Sequence, residues 1–381
     1  MNKTLLLAGT AALSLFVSHQ AFAQDASLSL NQDGLHTGHN HHHNHLGHSH
    51  HNAPQAPIGV MGSHLHSKGD WMVSYRYMRM HMDGNRDGTD DLSPTEIATT
   101  VPNRFFGTPM QPPTLRVVPL EMTTDMHMFG VMYGATDWLT LMAMGMYLDR
   151  EMDHVTFAGG SGPTVLGEFT TEAKGVGDTR LSGLIDLYND DTHRIHLNMG
   201  LSVPTGSIKE RDNVLAPNGM RPNLRLPYAM QLGTGTFDFL PGITYSGHQG
   251  RWGWGAQYMG EVRLENENDQ GYSHGDKHSV TAWGAHQFND WLSSSLRFTA
   301  TTQDEIDGID DQIVAPVQTA DPNNFGGEMI EVGVGFNLKG QEDWMIGHSI
   351  GAEFSVPVYR NLNGPQLERD NVFTFGWTKS F

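Results

Sequence analysis

The amino-acid sequence predicts an all-β protein: a single up-and-down antiparallel transmembrane β-barrel of about twelve strands, preceded by a disordered His-rich tail. Three observations predict it. Segments of alternating apolar and polar residues recur from Trp71 to Phe381, the pattern of a strand whose two faces meet different solvents. The connectors between them alternate strictly, five short and six long, as an even-stranded barrel gives when both termini are periplasmic. Finally, Trp71, Trp138, Trp252, Trp291 and Trp344 all stand at strand beginnings beside the tail or a short turn, which places their indoles at one headgroup level.

Residues 1–23 read as an export signal that is cleaved. Lys3 is the positive start, Leu5 to Val17 the apolar stretch and Ala21-Phe22-Ala23 the cleavage site, so the mature chain is expected to begin at Gln24. No later segment approaches the roughly 18 apolar residues of a spanning helix. The sequence has no cysteine, which excludes disulfides, thiolate ligands and a Cys nucleophile. A net charge of −19 argues against nucleic acid as a partner.

Residues 24–70 form the tail. It holds His36, His39, His41, His42, His43, His45, His48, His50, His51, His64 and His66 among Gly, Asn and Pro, with no periodic apolar face. Imidazole suits Cu and Zn, so the tail is a candidate metal-binding segment; the plainer reading is a solubilising linker.

From residue 71 to 381 the barrel strands are expected at about 71–82, 121–133, 138–149, 176–188, 193–203, 236–246, 251–264, 277–288, 291–302, 328–338, 343–358 and 371–381. In the last, Phe373, Phe375, Trp377 and Phe381 oppose Val372, Thr374, Gly376, Thr378 and Ser380, an aromatic face against a small, mostly polar one. Charge on the lipid face near mid-bilayer costs about 2–4 kcal/mol for Arg or Lys, so the polar faces line the lumen. The luminal set is Arg76, Asp178, Arg180, Arg194, Glu261, Arg263, Arg297, Glu331 and Glu353, whose mixed signs suggest a transverse field across the pore.

Twelve of the 21 methionines fall in the first three strands, near His81, His127 and His154. Thioether with imidazole suits Cu(I); alternatively the methionines are flexible apolar residues facing lipid. In the first strand the lipid-facing set Trp71, Val73, Tyr75 and Tyr77 puts Met72, Met78, Met80 and Met82 inside, whereas in the second Glu121, Asp125 and His127 read as luminal and put the even methionines on lipid; the third strand fits either facing. Met78, Met80, Met82 and His127 are the candidate luminal metal ligands. Asp83, Asn85, Asp87 and Asp91 open the first long loop with the start of a calcium loop, but Pro94 stands where its last ligand belongs. A solvated acidic loop is the alternative. Gly347-His348-Ser349-Ile350-Gly351 has the Gly-x-Ser-x-Gly spacing but falls inside an expected strand and not on a strand-to-helix elbow, and no His-x-x-x-His lies on a helix, so no catalytic role is expected.

A chain that stops on Phe381 after an aromatic strand resembles bacterial outer-membrane barrels, whose terminal aromatic belongs to their assembly signal. Tyr133-Gly-Ala-Thr-Asp-Trp-Leu-Thr-Leu141, Gly175-Val-Gly-Asp-Thr179, Gly200-Leu-Ser-Val-Pro-Thr-Gly206 and Leu232-Gly-Thr-Gly-Thr-Phe-Asp238 resemble the outer-membrane family named for the meta-pathway of phenol degradation. That resemblance implies a barrel passing small molecules. The expected function is a channel or transporter for a small solute, linked to copper or zinc handling. The alternative is a metal-binding or structural surface protein without channel activity. Its partners would be outer-membrane lipid, the solute or metal ion, and the outer-membrane assembly machinery; no cofactor is required.

Overall fold

The computed structural model describes residues 54–381. The wall is built from β1 (Trp71–Gly88), β2 (Val117–Thr136), β3 (Leu139–Phe157), β4 (Thr179–Asn189), β5 (His193–Val203), β6 (Asp238–Gln249), β7 (Trp252–Arg263), β8 (Lys277–Gln287), β9 (Leu292–Gln303), β10 (Gly327–Lys339) and β11 (His348–Ser380). Each pairs antiparallel with its sequence neighbour, and β11 closes the sheet on β1. β11 is extended over 33 residues but folds back at Gly364, whose φ of 66° suits a residue without Cβ. Residues 349–362 pair with β10 and residues 362–380 with β1. The Ser380 amide donates to the Gly347 carbonyl at 3.0 Å, so the two arms lie side by side. With these arms counted separately the barrel has twelve strands, and no helix among the described residues is long and apolar enough to cross a membrane.

Closure leaves no unpaired edge, which lets a sheet sit in lipid. Phe129, Leu141, Ile243, Phe298, Val334, Phe354 and Phe373 point outward and are exposed, while Thr140, His196, Asn198, Asn337 and Thr374 point inward. All five predicted girdle tryptophans are exposed at the end of the short turns.

Three expectations need correction. First, the strands around the first two long connectors run further than predicted. β1, β2 and β3 have 18, 20 and 19 residues, and Val165–Val176, expected to be loop, is a strand paired with the outer half of β3. Above the bilayer the outward face meets water, so Asp149, Glu151 and Glu172 occupy it and the apolar alternation is lost. Second, the facing of β2 is reversed: Met122, Met128 and Met132 are buried inside, whereas Phe129 and Val131 are exposed outside. His127 points outward, with Nδ1 2.8 Å from the Tyr75 hydroxyl. Third, residues 54–70 are not a disordered tail; they are packed against the luminal side chains of the wall.

The extracellular mouth is closed by a core of its own. The helix Pro94–Thr100, α1, starts where the Ser93 hydroxyl accepts from the Glu96 amide. Arg116, fully buried, donates to the carbonyls of Ala98, Ala158, Gly159 and Gly162, tying the first two loops together. Tyr228, Tyr272, Ile306, Ile313 and Val317 form a buried cluster from later loops. Arg225 and Asp310, both nearly inaccessible, pair at 2.8 Å beneath it.

Candidate transport path

The lumen has two sectors of different chemistry. On one side, charged side chains pair. Arg297 forks onto Glu353 at 2.6 Å, Arg369 reaches Glu331 at 3.1 Å, Arg180 reaches Glu261 at 2.9 Å and Arg263 reaches Asp238 at 2.6 Å. Six of the nine predicted luminal residues are therefore in ion pairs, and their charges compensate locally instead of setting up a field across the pore. Asp178, at the bend between Val165–Val176 and β4, accepts from the Gly206 and Thr234 amides at 2.9 and 2.8 Å, anchoring the third long loop. Arg76 donates from Nη1 to the Met61 sulfur. Arg194 lies on the inner face of β5 near the charge of Asp186. Asp238 and Arg369, which complete two of these pairs, were missed: Asp238 reads as the start of a strand and Arg369 as part of a loop.

The other sector, on β1, β2 and β3, is dominated by thioethers. Met72 faces Met132, which faces Met142; Met82 faces Met122, which faces Met152. Toward the outside, Leu226, Met230 and Leu232 of the third loop dip in and pack on Met122, Leu148 and Met152. Arg150 holds that dip by donating to the Ala229 carbonyl at 2.6 Å and to that of Gln231.

Residues 54–70 fill the opposite, periplasmic half. Ser349 donates to the Gln55 side chain at 2.7 Å, Gln257 to the Met61 carbonyl at 2.8 Å and His196 Nε2 to the Gly62 carbonyl at 2.9 Å. The His66 amide donates to the Thr140 hydroxyl at 2.9 Å. Leu65 packs on Met72, Met132 and Leu184. Gly59 passes so close to Arg297 and Glu353 that a Cβ would overlap the Glu353 carboxylate. None of these contacts is strand pairing: the segment is seated in the wall without joining it.

No known family model matches the sequence, including that of the phenol-degradation family suggested by short motifs, and no curated protein matches it. Solved structures do. The fold is similar to that of the COG4313 outer membrane channel from Pseudomonas putida F1, with a TM-score of 0.53 at 14% identity, over 85% of this chain and all of that one. A Pseudomonas aeruginosa FadL homologue aligns at 0.40 and 11% identity, over 82% of this chain and 90% of that one. The P. putida toluene transporter TodX aligns at 0.41 and 10% identity, over 83% and 91%. At these identities only the fold carries over, and the first likeness fixes it. This is the fold of an outer-membrane β-barrel.

The calcium loop is not assembled. Residues 83–88 continue β1 as strand, and a register shift between Met82 and Asn85, with Gly84 at φ 83°, turns Asn85 inward. There it donates to the Pro119 carbonyl and accepts from Gln318, while Asp91 pairs with Arg86. Among the described residues no group of three His, Asp or Glu is placed to hold a metal ion. Of the tail histidines, His36 to His51 lie outside the described residues. His64 and His66 stand in the lumen with ring centroids 5.0 Å apart. His127 shares no face with Met78, Met80 and Met82.

Proposed function

We propose that the protein is an outer-membrane channel for a small solute, and that residues 54–70 are its periplasmic gate. The observation that carries this reading is the mode of attachment of that segment. It occupies the lumen through single side-chain and carbonyl hydrogen bonds, each worth a net ~0.5–1.5 kcal/mol, and through a few apolar contacts, so it can leave without breaking the wall. A barrel needed only as a scaffold has no use for a removable filling between ion-paired and thioether sectors. The apolar belt of the wall meets lipid. The resemblance in Tyr133–Leu141 and Gly200–Gly206 to the phenol-degradation family fits the same class of small-molecule passage.

The test is planar-bilayer recording of the purified protein and of a variant lacking 54–66. The deletion should give long-lived conductance steps where the intact protein is mostly closed, with both barrels shifting on unheated gels. Equal and negligible conductance in both would leave a structural barrel.

A further inference from the structure

The first three strands segregate their apolar residues by element, not merely by hydrophobicity. From Met72, Met132 and Met142 up to Met82, Met122 and Met152, eighteen inward positions are matched across β1, β2 and β3. Twelve are methionine and one, Leu148, is a branched aliphatic. The outward face of the same strands holds Val73, Phe129, Val131, Leu139 and Leu141 and not one methionine. If the lumen needed only apolar bulk, those outward residue types would serve inside as well. Sulfur is the property that distinguishes the two faces.

The register makes the sulfurs convergent. Directly opposed residues on antiparallel strands hold their Cβ atoms ~4.5–5.5 Å apart, so three long thioethers on adjacent strands can reach one point. Met72, Met132 and Met142 form such a row and pack in one cluster. His66 lies beside that row: its amide binds Thr140, two residues before Met142 on the same face, and Leu65 is in the cluster. The Nε2 of His66 is buried and meets no hydrogen-bond partner among the described residues. Rows repeat every two residues, about 6.7 Å along the strand; the four between are mixed, with one or two methionines each beside Ser74, Gly130, Arg76, Leu148, Thr124 and Arg150, and Met82, Met122 and Met152 form a second all-thioether row.

We propose that this sector is a binding path for a soft monovalent cation, Cu(I), whose lowest site is made by Met72, Met132, Met142 and His66. Thioether and imidazole are the ligands that a soft d10 cation prefers over water and carboxylate. The site joins residues 54–70 to the wall, and its occupancy can be read without any conduction step, so it stands or falls separately from the channel.

The probe is Ag(I), a soft monovalent ion, titrated into the full mature protein in detergent at pH 5. There the imidazoles of His36 to His51, whose unperturbed values are near 6.5, are protonated and poor ligands, whereas thioethers carry no proton. Wild type should retain Ag(I) after desalting. The Met72→Leu, Met132→Leu, Met142→Leu triple variant, close to volume-conserving, should retain at least one ion fewer, and Met199→Leu, on the lipid face, should match wild type. If the triple variant fails to shift on unheated gels, Met132→Leu alone is used and should weaken retention at the same site. Equal retention in wild type and the luminal variants, or no retention by wild type, overturns the proposal and leaves the methionines as apolar filling.

Discussion

Replacing Gly134 by alanine should unseat the gate from the wall side without shortening it. A Cβ at Gly134 would overlap the Ser67 carbonyl and press on that of His66 at 2.9 Å. Both are backbone atoms, so the clash is relieved only by lifting residues 66–70. Four hydrogen bonds depend on that contact: His66 amide to Thr140, Lys68 amide to Asp137, Gly69 amide to the Gly134 carbonyl and Gly134 amide to the Asp70 carbonyl. At ~0.5–1.5 kcal/mol each, with the exposed ones at the low end, their loss amounts to about 3 kcal/mol. That shifts the seated-to-released ratio about 100-fold. Single-channel recording should show a matching rise in open probability. Gly145→Ala, whose new Cβ meets nothing within 4 Å, is the control and should behave as wild type. If Gly134→Ala folds and conducts no more than Gly145→Ala, the reasoning that these contacts hold the lumen shut is refuted.

Two further perturbations concern the extracellular cap. Asp310→Ala leaves Arg225 buried without its partner, a change that typically costs about 3–5 kcal/mol; protease added outside intact cells should then cut the third or fifth loop, which wild type resists. His274, in the loop after β7, is pulled down to about 3 by burial and by Arg263 and Arg150, with Glu261 opposing. A folded value below the ordinary 6.5 means that the closed cap binds fewer protons than an opened one. Closure is therefore complete above pH 6.5 and weakens as pH falls from 6.5 toward 3, by at most about 2 kcal/mol at pH 5. Hydrogen exchange of the cap amides should speed up between pH 7 and 5 beyond the intrinsic trend in wild type, and less so in His274→Gln; identical profiles would remove His274 from the account.

The wall was legible in the sequence because lipid imposes a strict rule on one face of each strand: Phe373 and Phe375 against Thr374, or Val334 and Phe336 against Gly335. That rule stops at the outer interface. Glu121 and Asp125 read as luminal because charge is forbidden in lipid, yet they stand above it, where Asp125 pairs with Arg79 at 2.6 Å. The facing of β2 was inverted on that account, and with it the fate of four methionines. Among the site residues, the ion-pairing set from Arg180 to Glu353 was found because each breaks an otherwise apolar alternation. The gate was invisible for a different reason. Ile58, Val60 and Leu65 are too sparse and too interrupted by glycine to form a face of period 2 or 3.6; their burial depends on a lumen made by distant strands, and local sequence holds no trace of it.

The gate can be locked and released in one molecule. A Cβ on Gly351 would lie 3.1 Å from that of Ile58, close to the ~3.5–4.5 Å that a disulfide spans, and the sequence has no other cysteine. The Ile58→Cys, Gly351→Cys protein, recorded in a bilayer while oxidant and then reductant are added, measures the central claim most directly. Oxidised protein should be silent, and reduction should restore conductance steps in the same membrane. Conductance that persists with the disulfide formed would mean that solute does not pass where residues 54–70 sit.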